Sequence, residues 1–183
     1  AVLLNARALT LAGITVGSPD PAGGRILRDA SGTPTGILVD AAADLVERVL
    51  PRPTAADIER RVLLAGRTLA SFGLTSIHDA GTTRAELAVL RALERDGRLP
   101  VRVYAILDGG DDELLAAEFG NGPWLSRGGM LAVRAVKLYA DGALGSRGAA
   151  LAAPYSDEPG SRGLEVTATA RLADVIRRAA KAG

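Results

Sequence analysis

The sequence predicts an α/β fold built around a parallel sheet, and two observations support that class. From residue 54 onward, short runs rich in aliphatic residues alternate with amphipathic runs whose apolar residues recur at helical spacing. Roughly two to three dozen residues separate one predicted strand from the next, which is enough chain for a crossover helix. An open doubly wound sheet and part of a β/α barrel both fit this spacing.

The first 53 of the 183 residues lie outside the alternating pattern. Gly13 is a natural left-handed residue after a helix, and Pro51 ends a second helix. Turn-forming residues flank two short strands, which we predict to pair as a hairpin. The predicted elements are a helix without an N-cap over 2–12, strands over 25–29 and 36–40, and a helix over 41–50. The chain therefore divides into a helical and hairpin part, 1–53, and a β/α part, 54–183.

The β/α part begins with Thr54 as an N-cap residue, and its first helix ends at Gly73. Apolar residues at helical spacing give this helix one face that can be buried. Strands and helices then follow one another in alternation. We predict strands over 74–78, 101–107 and 133–139, and helices over 84–95, 111–119 and 169–182.

Composition limits the classes of partner that this chain is expected to bind. The 22 Lys and Arg residues nearly balance 21 Asp and Glu residues, which gives a formal net charge of +1 and predicts neither nucleic-acid nor membrane-surface binding. The absence of cysteine excludes disulfides and thiolate metal ligands. No apolar run approaches the roughly 18 residues of a membrane helix, and no leader-like segment is recognisable. We therefore expect a cytoplasmic protein.

The predicted strand 133–139 is the most informative segment, because it carries a lysine among apolar residues. Regular alternation would place Lys137 on the same face as Val133, Ala135 and Tyr139. Withdrawing an ammonium group from water is unfavourable, so we expect Lys137 to be buried and paired, neutral or chemically modified. Alternatively, the amine projects beyond the strand end or forms an ion pair with Asp108 or Asp141.

His78 ends the predicted strand 74–78 and lies on the opposite face from Ile77. If Ile77 packs on the helices, His78 points away from them, at the strand end where barrel enzymes place catalytic and binding side chains. An imidazole there could contact a substrate or orient a water, since it changes protonation near neutral pH. A hydrogen bond to nearby backbone or to Asp79 is the alternative interpretation.

A glycine-rich segment, Asp141 to Arg147, follows the lysine strand directly. Gly142 and Gly145 permit backbone angles with positive φ, which would expose amide groups to a ligand. Arg147 could hold a carboxylate or another polar end of a substrate. The alternative is a flexible connection with a surface arginine. The segment is not a phosphate loop, because the pattern Gly-x-x-x-x-Gly-Lys-Ser/Thr is absent.

A resemblance to a known family is carried by segments spread along nearly the whole chain: Leu9 to Thr15, Gly24 to Asp29, Gly73 to Gly81, Leu99 to Tyr104, Lys137 to Arg147 and Pro154 to Gly163. Together they resemble the branch of the amidohydrolase superfamily that contains N-substituted formamide deformylases and related metal-dependent hydrolases. The resemblance implies a partial eight-stranded TIM barrel with parallel strands, to which the N-terminal helix and hairpin are an insertion.

The same resemblance implies hydrolysis of carbon–nitrogen bonds other than peptide bonds, with a small-molecule amide as substrate. In such enzymes a strand-borne lysine can react with carbon dioxide to give a carbamate that binds divalent metal ions. Lys137 is therefore the expected metal ligand, and zinc the expected metal. The expected catalytic residues are His78 and Asp141, and the expected substrate-binding residues are Gly142, Gly145 and Arg147.

The family's His-x-His pair, its later histidines and its late aspartate have no counterpart in this chain, which contains a single histidine. We therefore expect an internal segment of a longer enzyme, inactive when isolated. Two alternatives stay open at this point. One is a non-catalytic α/β module that associates with copies of itself through exposed strand edges, and the other is a small-ligand-binding domain.

Overall fold

The computed structural model describes all residues, 1–183, and the chain forms two compact units. Unit 1 consists of Ala1–Pro51 and Tyr139–Leu172, and unit 2 consists of Arg52–Leu138 and Ala173–Gly183. The sequence-based division assigned 139–172 to the second part, whereas in the structure this segment belongs to unit 1. None of the helices is long and apolar enough to cross a membrane.

Unit 1 contains a three-stranded antiparallel sheet with the order β1-β3-β2. Its strands are β1 (Val2–Leu3), β2 (Gly24–Arg28) and β3 (Pro34–Asp40), and its helices are α1 (Ala6–Leu11) and α2 (Asp44–Glu47), preceded by a 3-10 turn at Ala41–Ala43. The predicted hairpin is confirmed as β2 and β3. A small apolar core lies between sheet and helices, formed by Ile14, Ile26, Leu38 and Ala42.

The predicted helix over 2–12 is too long, and its start differs from the prediction. Residues 2 and 3 pair with β3, which leaves the chain free to turn into α1 only at Asn5. The Asn5 side chain accepts a hydrogen bond of 2.9 Å from the backbone nitrogen of Ala8, so the helix does have an N-cap. Gly13 has φ 66° and follows the helix in the predicted left-handed conformation.

Unit 2 contains a four-stranded sheet with the order β4-β5-β7-β6. Strands β4, β5 and β7 run parallel, as predicted, whereas the two-residue strand β6 is antiparallel to β7 and was not predicted. The sheet is open, so it does not close a barrel. The strands are β4 (Ser76–Thr82), β5 (Arg102–Asp108), β6 (Trp124–Leu125) and β7 (Leu131–Lys137), and the helices are α3 (Ala55–Ser71), α4 (Arg84–Arg95), α5 (Asp112–Asn121) and α6 (Thr169–Ala182).

Local capping explains why the helices of unit 2 begin where the sequence predicts. Thr54 and Thr83 each form a capping box, with Asp57 at the start of α3 and with Glu86 at the start of α4. At α5 the Asp111 side chain accepts a hydrogen bond of 2.9 Å from the backbone nitrogen of Leu114. These caps satisfy amide groups that the first helical turn leaves without a partner.

The core of unit 2 lies between the helices and one face of the sheet. In β5, Val103, Ala105 and Leu107 are buried against the helices, while Tyr104 and Ile106 on the opposite face are only half-buried. This alternation follows from the period of two residues along a strand. The sheet therefore has a helix-facing surface and an opposite surface, and the side chains on the opposite surface are the candidates for chemistry.

A β-bulge at Arg134 changes the alternation along β7. Two consecutive residues of β5 pair with Val133 and Ala135, so Arg134 is an extra residue in the ladder. Val133 is 4% exposed and belongs to the helix-facing core. The prediction that Val133 shares a face with Ala135 and Lys137 is therefore wrong, because the inserted residue turns the later side chains to the opposite surface.

Candidate functional site

Lys137 is the last residue of β7, at the carboxyl end of the parallel sheet. It pairs in register with Asp108, the last residue of β5, and its carbonyl accepts a hydrogen bond of 3.0 Å from Gly109. A Cβ atom on Gly109 would lie 3.1 Å from Cγ of Leu138, so glycine allows the two strand ends to approach closely. Because of the bulge, Lys137 belongs to the sheet surface that faces away from the helices.

The expectation that Lys137 is fully withdrawn from water is not met, since the residue is half-buried. Its position at the strand end explains this exposure, because the core residues that enclose β7 belong to the earlier part of the strand. A partly exposed amine can still lose its proton to react, or bind a carboxylate. The geometry therefore places Lys137 at the end of the sheet and is compatible both with a reactive amine and with an amine bound to a carboxylate.

His78 lies on the same sheet surface, but the prediction that it ends its strand is wrong, because β4 continues to Thr82. Its partner in the neighbouring strand is Tyr104, and the centroids of the two rings are 4.9 Å apart. Ile77 packs against the helix-facing core, so His78 points away from the helices as predicted. Asp79 accepts a hydrogen bond of 2.8 Å from the hydroxyl of Thr82, so its carboxylate serves the end of the strand.

The side chains of this chain do not form a complete metal centre. No group of three or more His, Asp or Glu side chains is arranged to hold a metal ion. A catalytic zinc site needs about three protein ligands. The side chains of this chain could therefore supply only part of such a centre. Lys137, once converted to a carbamate, is the residue that could bind the metal ion.

The predicted substrate-binding residues lie together in unit 1, in a compact loop that we call the glycine loop, Gly142–Gly148. The loop is closed by a hydrogen bond of 3.1 Å from the Gly142 nitrogen to the Gly148 carbonyl. Asp141 precedes it, pairs with Glu165 in an isolated bridge, and accepts a hydrogen bond of 2.9 Å from the Ala150 nitrogen. The Asp141 carboxylate thus holds the backbone of Ala150, just beyond the glycine loop.

The expected positive φ angles at Gly142 and Gly145 are absent from the structure. The residue of this loop with a left-handed backbone is Arg147, at φ 55°, where it ends a 3-10 turn at Leu144–Ser146. Glycine is needed at position 142 for another reason, because the side chain of Asp40 approaches it closely. At Gly145 a Cβ atom would have no neighbouring atom within 4 Å.

The guanidinium of Arg147 already binds carboxylates of its own unit. Its Nη2 lies 2.8 Å from Oδ2 of Asp157, and its Nε lies 3.6 Å from Oε2 of Glu158. Glu158 also accepts a hydrogen bond of 2.7 Å from Nη1 of Arg25, so it lies between two arginines. The hydrogen bond between the partners raises the pKa of Arg147 and lowers the pKa of Asp157. A substrate carboxylate would have to compete with Asp157 for this arginine.

Asp40, at the end of β3, is a candidate that the sequence did not reveal. Its backbone has φ 50°, and its Oδ2 atom is buried without a hydrogen-bond partner. An aspartate at the end of a strand is ordinary in a sequence, and its structural neighbours Gly142 and Gly148 lie far along the chain. No local sequence signal could have identified it.

The predicted site residues therefore form two groups, one in each unit. Lys137 and His78 share one surface of the parallel sheet in unit 2. Asp141 and the other predicted residues belong to the glycine loop or its border in unit 1.

Comparison with known proteins links the whole chain to one family. The model of the amidohydrolase family matches residues 1–183. The protein named "Putative amidohydrolase YtcJ" from Bacillus subtilis is 32% identical over 189 residues, which cover 100% of this chain and 35% of that protein. The N-substituted formamide deformylase of Arthrobacter pascens is 34% identical over 127 residues, which cover 67% of this chain and 23% of the deformylase.

Solved structures agree with the sequence comparisons. The crystal structure of an uncharacterized metal-dependent hydrolase from Pyrococcus horikoshii superposes with a TM-score of 0.72 at 27% identity, covering 99% of this chain and 35% of the hydrolase. A metal-dependent hydrolase from Pyrococcus furiosus gives the same TM-score at 29% identity, covering 99% of this chain and 36% of that protein. The chain thus spans about a third of the length of the proteins that it matches end to end.

Proposed function

Because the chain belongs to the amidohydrolase family, we propose that it is the lysine-bearing part of a metal-dependent hydrolase that cleaves carbon–nitrogen bonds other than peptide bonds. The position of Lys137 carries this proposal. It ends a parallel strand, on the sheet surface opposite the helices, which is where barrel enzymes place functional side chains. The names of the relatives, a formamide deformylase and metal-dependent hydrolases, support the same reaction class.

Lys137 would act as a metal ligand after modification by carbon dioxide. The neutral amine nitrogen attacks the carbon of carbon dioxide, a nitrogen–carbon bond forms, and the nitrogen gives up a proton to solvent. One carbon–oxygen π bond opens as the new bond forms, so the product carries one negative charge shared by two oxygens, which suit zinc and other divalent ions. This chain supplies that single ligand, and other ligands would have to come from outside it, since its own side chains form no metal cluster.

The remaining predicted residues are proposed as contacts for a small amide substrate, and each role is argued within its own unit. His78 stands beside Tyr104 on the surface that carries Lys137, so the imidazole can contact a substrate or align an attacking water. Arg147 would hold a polar end of the substrate if Asp157 releases it. Within unit 1, Asp141 is proposed as a second catalytic residue, and the backbone of Gly142 and Gly145 is proposed to contact the substrate.

The first experiment tests the lysine. The purified chain is incubated with zinc and isotope-labelled bicarbonate, and the carbamate carbon is observed by NMR beside a Lys137→Arg control. We expect a carbamate signal from the wild type, none from the control, and no hydrolysis of N-formyl amines by either. A wild-type chain without the carbamate signal would contradict the role of Lys137. Hydrolysis by the chain alone would contradict the incomplete metal centre.

The second experiment reads the coding sequence on both sides of this segment. A His-x-His strand upstream and histidine-bearing strands downstream would support the hydrolase. A start codon immediately before Ala1 and a stop codon after Gly183 would contradict it and favour an independent module. This reading needs no folded protein and no substrate.

Self-association is the second candidate function, and the edges of the sheet in unit 2 favour it. Strands β4 and β6 lie at the two edges, and apolar side chains near them are exposed, including Leu74 at 46% and Leu125 at 60%. Open edges and exposed apolar surface recruit partners. Light scattering of the purified chain decides this point: a stable dimer would support association, and a monomer at high concentration would exclude it.

A further inference from the structure

Asp40 has a backbone conformation that residues other than glycine rarely adopt. It ends β3 with φ 50° and ψ −125°, immediately before the 3-10 turn at Ala41–Ala43. Only Asp40 and Arg147 have positive φ among the non-glycine residues. Such a conformation is strained and persists only where surrounding contacts impose it.

The glycine loop holds the Asp40 carboxylate between its two ends. A Cβ atom on Gly142 would lie 2.8 Å from Cγ of Asp40 and closer still to Oδ2, and a Cβ atom on Gly148 would also collide with Oδ2. Gly145, in the middle of the same loop, has open space at that position. The Asp40 side chain therefore explains why positions 142 and 148 require glycine. It does not explain the glycine at position 145.

The buried oxygen of this carboxylate lies there without a conventional hydrogen bond. Oδ2 is buried and has no donor, and contacts with the Cα hydrogens of glycine are weak substitutes. A buried polar atom without a partner is unfavourable, as is the strained backbone. Two unfavourable features in one residue, beside a loop that contains predicted substrate-binding residues, point to a functional reason for keeping them.

The loop connects this carboxylate to Arg147. Arg147 immediately precedes Gly148, and the Gly148 nitrogen donates a hydrogen bond of 2.9 Å to the Ala143 carbonyl. The Gly148 carbonyl accepts hydrogen bonds from Gly142 and, at 2.9 Å, from Leu164. Moving Gly148 would thus disturb both closures of the loop and the left-handed backbone at Arg147.

We propose that Asp40 is a positioning residue: its carboxylate, wedged between Gly142 and Gly148, fixes the glycine loop and through it the direction in which Arg147 presents its guanidinium. The effect of Asp40 on substrate binding rests on the proposed hydrolase function, in which a substrate displaces Asp157 and binds the guanidinium of Arg147. The wedge itself does not depend on that function and can be tested on this chain.

A double-mutant cycle tests the wedge. Gly142→Ala should accelerate amide hydrogen exchange in the glycine loop by about tenfold, since overpacking forces the neighbouring atoms apart. In an Asp40→Gly background, which tolerates φ 50° and removes the carboxylate, the same substitution should have almost no further effect. Gly148→Ala should behave likewise, and Gly145→Ala is the matched control that should show no coupling to Asp40.

A failure of Gly142→Ala to fold is informative too, because Asp40→Gly should then restore a soluble protein. Equal effects of Gly142→Ala in the wild-type and Asp40→Gly backgrounds would overturn the proposal. So would coupling of the same size between Asp40 and Gly145.

The positioning of Arg147 has its own spectroscopic readout, the Nε proton resonance of its guanidinium. Asp40→Gly should shift or broaden this resonance, whereas Asp40→Asn, which keeps the shape of the side chain, should retain the wild-type signal. An unchanged resonance in Asp40→Gly would overturn the link to Arg147. The Lys137 carbamate signal serves as the separate test of the hydrolase function, so failure of one idea is distinguishable from failure of the other.

Discussion

The candidate residues of unit 2 and those of unit 1 are held in place by different means. Lys137 and His78 belong to paired strands, whose hydrogen-bond ladders and helix-facing neighbours fix their direction, together with the bulge at Arg134 in the case of Lys137. Arg147 and the glycine loop depend on irregular backbone, ion pairs and a wedged carboxylate. The comparison indicates that hydrogen-bonded pairing makes the sheet of unit 2 a regular platform, whereas the glycine loop of unit 1 is fixed by a few contacts between residues that are remote in the sequence.

The two units also differ in the size of their cores, and this difference leads to the largest expected effect. Leu131 is 0% exposed in the large core of unit 2, so Leu131→Ala should lower the free energy of unfolding by about 3 kcal/mol. Leu125→Ala, at a position that is 60% exposed, is the control and should change it little. Urea denaturation measures both, and similar losses would show that the core does not stabilise this platform.

The sequence predicts the platform well because its signals are local. The bounds of α4, Arg84–Arg95, and of α6, Thr169–Ala182, agree with the prediction, and the capping residue Thr83 lies just before the apolar pattern of α4. The prediction that Val133 and Lys137 share a face was wrong, since the bulge at Arg134 depends on pairing with β5. The two-residue strand β6 is too short to leave a pattern of its own.

The site in unit 1 was harder to predict because its contacts are remote in sequence. Asp40 meets Gly142 and Gly148 only after folding, so the spacing of these residues carries no signal. The glycines were correctly noticed, but the reason given for them, positive φ, was wrong. The Asn5 cap was visible in the sequence and was overlooked, since Asn is among the preferred N-cap residues.

An ion pair between α4 and α5 whose carboxylate is buried should give the second largest effect. Glu118 is 7% exposed and accepts two hydrogen bonds from Arg91, of 2.9 and 2.7 Å, while that guanidinium lies 5.4 Å from the ring centroid of Trp124. Glu118→Ala should lower the free energy of unfolding by about 1.5 kcal/mol, because it removes two charge-assisted hydrogen bonds to a buried carboxylate, while the Arg91 side chain, which is 37% exposed, keeps part of its hydration. Glu113→Ala breaks an ion pair with Arg84 of similar length at the surface and should leave stability almost unchanged. Equal effects in urea denaturation would contradict the importance of burial.

Helix capping gives a smaller effect that separates the two units again. Thr83→Ala removes the capping box of α4 and should lower the free energy of unfolding by about 1 kcal/mol. Asn5→Ala removes the cap of α1, a six-residue helix without buried residues, and should cost less. Hydrogen exchange of the two helices measures the effects separately. A larger loss at α1 than at α4 would contradict the view that unit 2 is the more firmly built.

The smallest expected effect is a response to acid, and it differs in kind between the units. In unit 2 a backbone hydrogen bond from Leu114, together with Arg84, lowers the pKa of Asp111, and in unit 1 the hydrogen bond from Arg147 lowers the pKa of Asp157. A carboxyl whose pKa is depressed by folding stabilises the protein above its unfolded pKa of about 3.9, and this stabilisation is lost as the pH falls through the lower folded value.

The thermal unfolding midpoints of Asp111→Asn and Asp157→Asn should therefore depend less steeply on pH below about pH 4 than that of the wild type. High salt should remove most of the contribution of Asp157, whose side chain is 62% exposed, and less of that of Asp111, whose main partner is a backbone amide. If salt weakened both contributions equally, the helix cap of unit 2 would be no more firmly held than the ion pair beside the glycine loop, and the contrast between platform and loop would not extend to their electrostatics.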